Sequence, residues 1–260
     1  MYFYIYDSFL TEKKYSKIVS RIETRLASLD ISGKKYQLSI LKSVEETIKG
    51  ILNKESSTIV VVGGDKTFCQ AALSIAGSGG VLGFIPVQEN SSLANILGLP
   101  VNEYACDVIS ARRMEQVSLG KINDQCFFSS IEFNPHKTIL TVDNKYQIIP
   151  RRTKIVKIIN LDLLQFGSWS DEPDIRRLAS NPKDDYLEVL MGSPGKNYLL
   201  FKKKEKKDSL FFVKNLKIRA KKDDQEILIK VDQIKIVKAP AMIGVAKEKI
   251  KIIVGRDRLI

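Results

Sequence analysis

The first 110 residues alternate between short apolar runs and segments in which apolar residues recur at helical spacing. Four apolar runs predict strands, at residues 2–6, 36–41, 57–62 and 81–86. Three segments with apolar residues three and four positions apart predict helices, at residues 11–29, 44–54 and 68–77. Strands separated by crossover helices predict a parallel, doubly wound sheet. Ligands of such sheets bind outside the carboxyl ends of the strands, where Asp7, residues 63–67 and residues 86–92 would meet.

Beyond about residue 112 the pattern changes to short runs that alternate or are rich in β-branched residues. This pattern predicts an antiparallel β domain, a sandwich or partial barrel. The expected fold class is therefore an N-terminal doubly wound α/β domain with a C-terminal antiparallel β-sandwich domain. We place these domains at residues 1–112 and 113–243, and treat 244–260 as a strand region that can return to the first domain. Residues 198–204 predict a further strand, and residues 167–185 a long irregular connection.

The stretch VVVGGDKTF, at residues 60–68, ends a buried strand in a glycine turn, and a helix is expected to begin near Thr67. Backbone N–H groups in such a turn can reach a phosphate at the positive end of the following helix. Lys66 stands where a third glycine would let a ligand come close. Asp65 either caps the following helix or contacts a nucleotide. The hydroxyl of Thr67 is expected to interact with the helix N-terminus more often than with a ligand.

The charge of the chain is strongly positive, since 42 Lys and Arg residues oppose 30 Asp and Glu residues and leave a net charge of +12. Basic residues cluster at residues 201–208 and 219–224. Such segments form either a solvated lysine-rich surface or a surface that binds anionic lipid headgroups. No aromatic residues interleave with the lysines as in a base-stacking platform, so nucleic acid is not expected as a partner.

Cysteine and histidine are too sparse for several kinds of site. The three cysteines form no CxxC pair, which argues against a disulfide framework and a thiolate metal site. A single histidine, His136, argues against a histidine metal centre or a catalytic triad. No uncharged apolar run is long enough to cross a bilayer, and the first ten residues lack the features of a signal peptide. The expected location is the cytoplasm, with peripheral membrane association left open.

Four segments together resemble the diacylglycerol kinase catalytic domain family, which includes bacterial lipid kinases and sphingosine kinases and is distantly related to NAD kinases. The segments are TIVVVGGDKTFCQAALSIAG, GVLGFIPVQENSSLANILGLP, DVISARRMEQVSLGKINDQCFFSSIEF and VDQIKIVKAPAMIGVAKEKIKIIVG. They correspond to the family's GGDGT segment, its second phosphate segment, the passage into the β domain and the closing strands with the DGE motif. The resemblance covers most of the chain in the correct order.

The glycine turn and the second phosphate segment both depart from the family's pattern. Lys66 replaces the third glycine of GGDGT, whereas the other four residues of that motif match. In the second segment, Gln88 and Glu89 stand at the GT pair, and Ser91 and Ser92 at the ND pair.

The first strand and the closing strands depart as well. Asp7 stands where the family often has an asparagine before proline. At the DGE position Asp232 is followed by Gln233 and Ile234, so at most the first carboxylate survives.

The resemblance implies ATP and Mg²⁺ as cofactors and a site in the cleft between the two domains. The implied nucleotide contacts are Gly63, Gly64, Asp65, Lys66, Thr67, Glu89, Ser91 and Ser92. Asp232 would be the base that takes the proton of a lipid hydroxyl. Asp65 would lie near the nucleotide's metal, and Asp185 corresponds to a turn that can hold a structural metal in bacterial members.

Each implied role has an alternative that needs no ligand. Lys66 can hold a phosphate as a point charge, or close the pocket by pairing with Asp65 or Glu89. Ser91 and Ser92 stand at the predicted start of the next helix, where their hydroxyls are expected to cap its N-terminus. The Lys-Asp-Asp turn that includes Asp185 needs no metal.

Two functions therefore stay open. One is ATP-dependent phosphoryl transfer to a lipid hydroxyl, with nucleotide, lipid or an anionic membrane surface as partners. The other is a catalytically inactive homologue that acts as a binding or scaffold module. NAD kinase activity fits less well, because the second-loop motif expected there is absent. A homodimer is left open.

Overall fold

The computed structural model describes residues 1–39, 42–52, 57–151, 153–162, 180–192, 209–222 and 225–260. The chain divides into two compact units. Unit 1 comprises Met1–Val117 and Glu248–Ile260, and unit 2 comprises Ser118–Lys247. The predicted strand at residues 198–204, the lysine segment at 201–208 and residues 167–179 of the irregular connection lie outside the described residues.

Unit 1 is a parallel sheet with helices in the crossovers, as predicted. Its first strands are β1 (Tyr2–Tyr6), β2 (Lys34–Gln37), β3 (Thr58–Gly63) and β4 (Val81–Pro86). They lie in the order β2-β1-β3-β4, and each neighbouring pair is parallel. The helices are α1 (Ser16–Ser28), α2 (Val44–Leu52), α3 (Asp65–Ile75), α4 (Ser92–Leu97) and α5 (Ala105–Ala111).

The helix after the glycine turn begins two residues earlier than predicted, at Asp65 rather than Thr67. Its N-cap is Gly64, whose extended backbone (φ −106°, ψ 167°) lets the chain turn directly from β3 into the helix. The apolar spacing that begins at Phe68 marks only the part of α3 that packs on the sheet. The first turn of α3 therefore carries Asp65 and Lys66.

The core of unit 1 lies between the sheet and the helices on it. Every residue of β3 is buried, as a strand covered on both faces requires. Ile22 of α1 and Ile109 of α5 pack in one cluster with Val60 and with Ile253 near the C-terminus. The last residues of the chain are thus part of this core.

Unit 2 is built from antiparallel strands in two sheets. The strands are β5 (Met114–Ile122), β6 (Gln125–Phe127), β7 (Ser130–Phe133), β8 (Thr138–Val142), β9 (Tyr146–Ile148), β10 (Ile155–Ile159), β11 (Leu187–Gly192), β12 (Ser209–Val213), β13 (Asn215–Ala220), β14 (Leu228–Val231), β15 (Lys235–Lys238) and β16 (Ala241–Ile253). One sheet has the order β12-β11-β10-β7-β14-β15, and the other contains β16-β13-β8-β9. Residues of both sheets form one buried cluster, so the sheets pack face to face as a sandwich.

The strands β5 and β16 each contain residues of both units. The strand β16 also pairs with a strand in each unit. Its residues 241–244 pair with β13 in unit 2, whereas Lys251 and Ile252 pair with β4 in unit 1. Among the described residues, no helix combines the length and the apolar character needed to cross a bilayer.

Candidate functional site

The glycine turn between β3 and α3 is approached closely by Asp7, which follows β1. Because β1 and β3 are parallel neighbours, Asp7 lies beside the end of β3, and its N–H donates to the carbonyl oxygen of Val62 at 2.9 Å. A Cβ atom on Gly63 would lie 2.5 Å from the Cβ of Asp7, so only glycine fits there. The space left by the missing Cβ of Gly63 is therefore taken by the side chain of Asp7.

The Asp7 carboxylate occupies the polar groups of the turn. Its Oδ2 accepts hydrogen bonds from the Thr67 hydroxyl and, at 3.4 Å, from the backbone N–H of Gly64. Thr67 is buried, with 6% of its surface exposed. Gln88 lies on the other side of the turn, since a Cβ on Gly64 would lie 3.2 Å from its Oε1.

Asp65 is bound to the beginning of α4. Its carboxylate accepts hydrogen bonds from the hydroxyls of Ser91 and Ser92 and from the backbone N–H of Leu93. Ser91 in turn accepts from the N–H of Ala94 at 2.8 Å and caps α4. Asp65 thus contacts the N-terminus of α4, not that of its own helix α3, because Gly64 already supplies the N-cap there.

Lys66 and Glu89 take no part in these hydrogen bonds. Each side chain is exposed. In the described part of the chain, no ion pair joins Lys66 to Asp65 or to Glu89. The role considered for Lys66 as a plug that pairs with Asp65 or Glu89 therefore finds no support in its contacts, and its role as a phosphate contact stays a prediction.

Asp232 lies in unit 2, in the turn that joins β14 to β15. It is 5% exposed and adopts a left-handed backbone conformation with φ 51°, which Asp tolerates better than most residues. Its carboxylate accepts hydrogen bonds from the backbone N–H groups of Phe128 at 2.7 Å, Ser129 at 2.7 Å and Ser130 at 3.0 Å. Burial raises the pKa of this carboxyl, and these three donors work against that rise.

Asp185 is exposed on the turn before β11. Its neighbour Asp184 accepts hydrogen bonds from the amide of Asn181 at 3.2 Å and from the N–H of Tyr186 at 3.0 Å. Within the described ranges, no group of three or more His, Cys, Asp or Glu residues is arranged to hold a metal ion. Asp65 and Asp185, the two implied metal ligands, belong to different units.

A buried carboxyl in β11 escaped the sequence analysis. Glu188 is 3% exposed, and its Oε1 accepts the N–H of Asn181 at 3.0 Å. Its Oε2 has no hydrogen-bond partner among the described residues. Burial raises the pKa of Glu188 to about 7. The sequence feature that could have revealed this carboxyl is a single acidic residue inside the otherwise apolar run LEVLMG.

A polar cluster beside the Asp232 turn was also missed. Asp162 accepts from the Ser130 hydroxyl at 3.2 Å and pairs with Lys157 at 2.8 Å. The amide of Asn160 donates to the carbonyl oxygens of Ser118 and Phe128. These contacts fix the segment 128–130 that holds Asp232, and no spacing in the sequence brings the four stretches together.

Comparison with known proteins bears on the fold of the chain. The fold matches crystal structures from Bacillus anthracis described as a diacylglycerol kinase, at a TM-score of 0.74 and 15% identity, and as a putative diacylglycerol kinase, at 0.75 and 13%. Each match covers 98% of this chain and 97% of the other. No curated protein matches the chain. Residues 2–122 match the model of the diacylglycerol kinase catalytic domain, and the fold of the whole chain is similar to that of these bacterial structures.

Proposed function

We propose that this chain is a non-catalytic member of the diacylglycerol kinase family, which binds an anionic lipid surface without transferring phosphate to it. The observation that carries the proposal is the state of Asp232. Both of its oxygens accept hydrogen bonds from the backbone N–H groups of residues 128–130. Its role in these contacts is to hold the β14–β15 turn against the start of β7.

Phosphoryl transfer to a hydroxyl needs a base within hydrogen-bond reach of the proton that it removes. Asp232 is 5% exposed and its carboxylate already accepts hydrogen bonds from three backbone N–H groups, so burial and these contacts leave little of it open to a substrate hydroxyl. The next two residues, Gln233 and Ile234, carry no carboxyl group. The turn therefore offers no available base.

The other implied acidic group is engaged as well. Asp65 holds the N-terminus of α4 through Ser91, Ser92 and Leu93. A carboxylate that coordinates a metal would have to give up part of this capping. The alternative function, an active ATP-dependent lipid kinase, needs both Asp65 and Asp232 to leave their present partners.

Binding to an anionic surface is supported by the outward face of β13. Lys217 and Arg219 alternate with the buried residues Leu216 and Ile218, so both cations point away from the core. Met242 of β16 lies opposite Lys217 and is 57% exposed. Cations beside an exposed apolar side chain, in a chain of net charge +12, favour anionic headgroups.

The test combines an assay of transfer with one of binding. The purified chain is incubated with Mg²⁺, ATP labelled in its γ-phosphate, and vesicles containing diacylglycerol and an anionic phospholipid. We expect the protein to sediment with the vesicles and to leave the lipid unlabelled. Labelling that scales with the protein, is lost in Asp232→Asn and persists in Asp185→Asn would overturn the non-catalytic assignment.

The binding half has its own matched pair of variants. Lys217→Ala combined with Arg219→Ala should weaken sedimentation with anionic vesicles. Lys13→Ala combined with Lys17→Ala removes the same charge from unit 1 and should weaken it less, although long-range electrostatics affects both pairs. Equal effects of the two pairs would show that net charge, not the β13 face, drives binding.

Asp232→Asn also tests the structural role directly. The amide nitrogen that replaces one oxygen cannot accept a backbone N–H, so a buried donor loses its partner. We expect the free energy of unfolding to fall by about 1–3 kcal/mol. Asp185→Asn, an exposed position with the same change, should stay within about 0.5 kcal/mol of the unmodified chain. Urea titration followed by circular dichroism measures both.

A further inference from the structure

The glycine turn after β3 already contains an anion, and that anion belongs to the protein. The Asp7 carboxylate bonds to the Thr67 hydroxyl and lies 3.4 Å from the N–H of Gly64. These groups stand at the N-terminus of α3, an 11-residue helix. The first-turn N–H groups of a helix lack intrahelical acceptors and favour negative charge.

A phosphate at this turn would compete with Asp7 in two ways. It would need the donors that Asp7 now uses, and it would lie next to a carboxylate of the same charge sign. The turn in its present state therefore does not fit the nucleotide phosphate that the family resemblance implies. Gly63 strengthens this conclusion, because its missing Cβ makes room for the Cβ of Asp7.

Lys66, the most obvious departure in the sequence, does not fill the turn. Its side chain is exposed, and it forms no ion pair with any described residue. Replacing Lys66 would leave the Asp7 contacts with Thr67 and Gly64 in place. The residue that decides whether the turn accepts an anion must then be sought at the end of β1.

We propose that Asp7 determines the ligand specificity of this site: its carboxylate acts as an internal substitute for phosphate and keeps phosphate-bearing ligands out. Removing the carboxylate converts the turn into a phosphate site. Asp7 acts on binding alone, whether or not the chain transfers phosphate.

The experiment is calorimetric titration of the full chain with three ligands: ATP with Mg²⁺, tripolyphosphate with Mg²⁺, and adenosine. Asp7→Ala vacates the donors, whereas Asp7→Asn keeps the shape and removes only the charge. We expect the association constant for ATP to rise at least tenfold in Asp7→Ala and by a smaller factor in Asp7→Asn. Equal gains for ATP and tripolyphosphate assign the site to phosphate, and a larger gain for ATP adds a contribution from the base. A gain for ATP with none for tripolyphosphate would contradict the proposal.

Two control variants separate the proposal from a general effect of charge. Asp30→Asn removes the same charge from an exposed position of unit 1, where a positive φ of 54° suits asparagine. Lys66→Gly restores the third glycine. Neither should change the binding of ATP or tripolyphosphate.

Three results would overturn the proposal. The first is tight ATP binding by the unmodified chain that Asp7→Ala weakens. The second is a gain in Lys66→Gly as large as that in Asp7→Ala. The third is an unchanged association constant for ATP in both Asp7 variants, when circular dichroism shows that both are folded. If only Asp7→Asn folds, an unchanged association constant in that variant overturns the proposal as well. A variant that binds adenosine as tightly as ATP and does not bind tripolyphosphate would also overturn the proposal. A gain in binding without labelled lipid leaves the non-catalytic assignment intact.

Discussion

At the scale of single residues, three acidic side chains of the motif segments form hydrogen bonds that hold the fold together. Asp7 bonds to the turn after β3, Asp65 to the start of α4, and Asp232 to three backbone N–H groups. Each lies beside donors that secondary structure leaves unsatisfied, at a helix N-terminus or a strand end. At each of these positions the carboxylate supplies an acceptor to donors that would otherwise lack one.

Glu188 differs from these three because one of its oxygens has no described partner. Burial raises its pKa to about 7, from an ordinary value of 4.5. Between these pH values the folded chain holds a proton that the unfolded chain has lost. Stability therefore falls as the pH rises through this window, by about 3 kcal/mol in all, and the penalty is absent below it.

We expect Glu188→Gln to remove this pH dependence, because the amide resembles the neutral carboxylic acid. The variant should be more stable than the unmodified chain at pH 8, and the two should converge near pH 4. Urea titrations at several pH values measure the difference. Glu248→Gln, an exposed position without a described partner, is the control, and an equal effect there would contradict the assignment to Glu188.

At the scale of elements, glycines decide where two backbones can meet. A Cβ on Gly255, which follows β16, would lie 1.8 Å from the carbonyl oxygen of Gly98 after α4. The N–H of Gly255 donates to Leu97, so the tail and the end of α4 are joined at this contact. Gly50 in α2 is the opposite case, since nothing lies within 4 Å of its added Cβ.

The two positions should respond to the same substitution with opposite signs. Gly255→Ala forces two backbone segments apart, and we expect a loss of about 3 kcal/mol or more in the free energy of unfolding. Gly50→Ala should add about 0.5–1 kcal/mol, because alanine favours an exposed helix interior over glycine. Thermal and urea unfolding measure both. A stable Gly255→Ala variant would show that the tail does not pack on Gly98.

At the scale of the whole molecule, the last strand links two folding units in one element. The first part of β16 completes a sheet of unit 2, and its last residues lie beside β4 in unit 1. Ile252 and Ile253 are fully buried there, and Val254 donates to the carbonyl oxygen of Arg113. Unit 1 is complete only when the C-terminus has joined it.

Ile252→Ala should therefore destabilise unit 1 in particular. We expect a loss of about 2–5 kcal/mol, the range for truncating a buried isoleucine. Hydrogen exchange should show reduced protection in β3 and β4, with β10 and β11 of unit 2 less affected. Lys251→Ala, the exposed neighbour in the same strand, should change little. Equal loss of protection in both units would show that they unfold together.

The sequence determined the fold class, because burial and periodicity are local properties of a strand or helix. The apolar run at residues 59–62 of β3 and the spacing from Phe68 onward predicted a parallel sheet with crossover helices. The change to short alternating runs required an antiparallel second part. The resemblance carried by the ordered motifs pointed to the same architecture, and the matching domain and structures support it.

The partners of the site residues were decided only by the tertiary structure. Lys66 drew attention because it breaks a motif, yet the group that fills the turn is Asp7, 57 positions from Gly64 along the chain. Asp232 meets its donors across about a hundred residues. Sequence patterns report which face of an element is buried, whereas a carboxylate's role depends on which donors the packing brings within 3 Å of it.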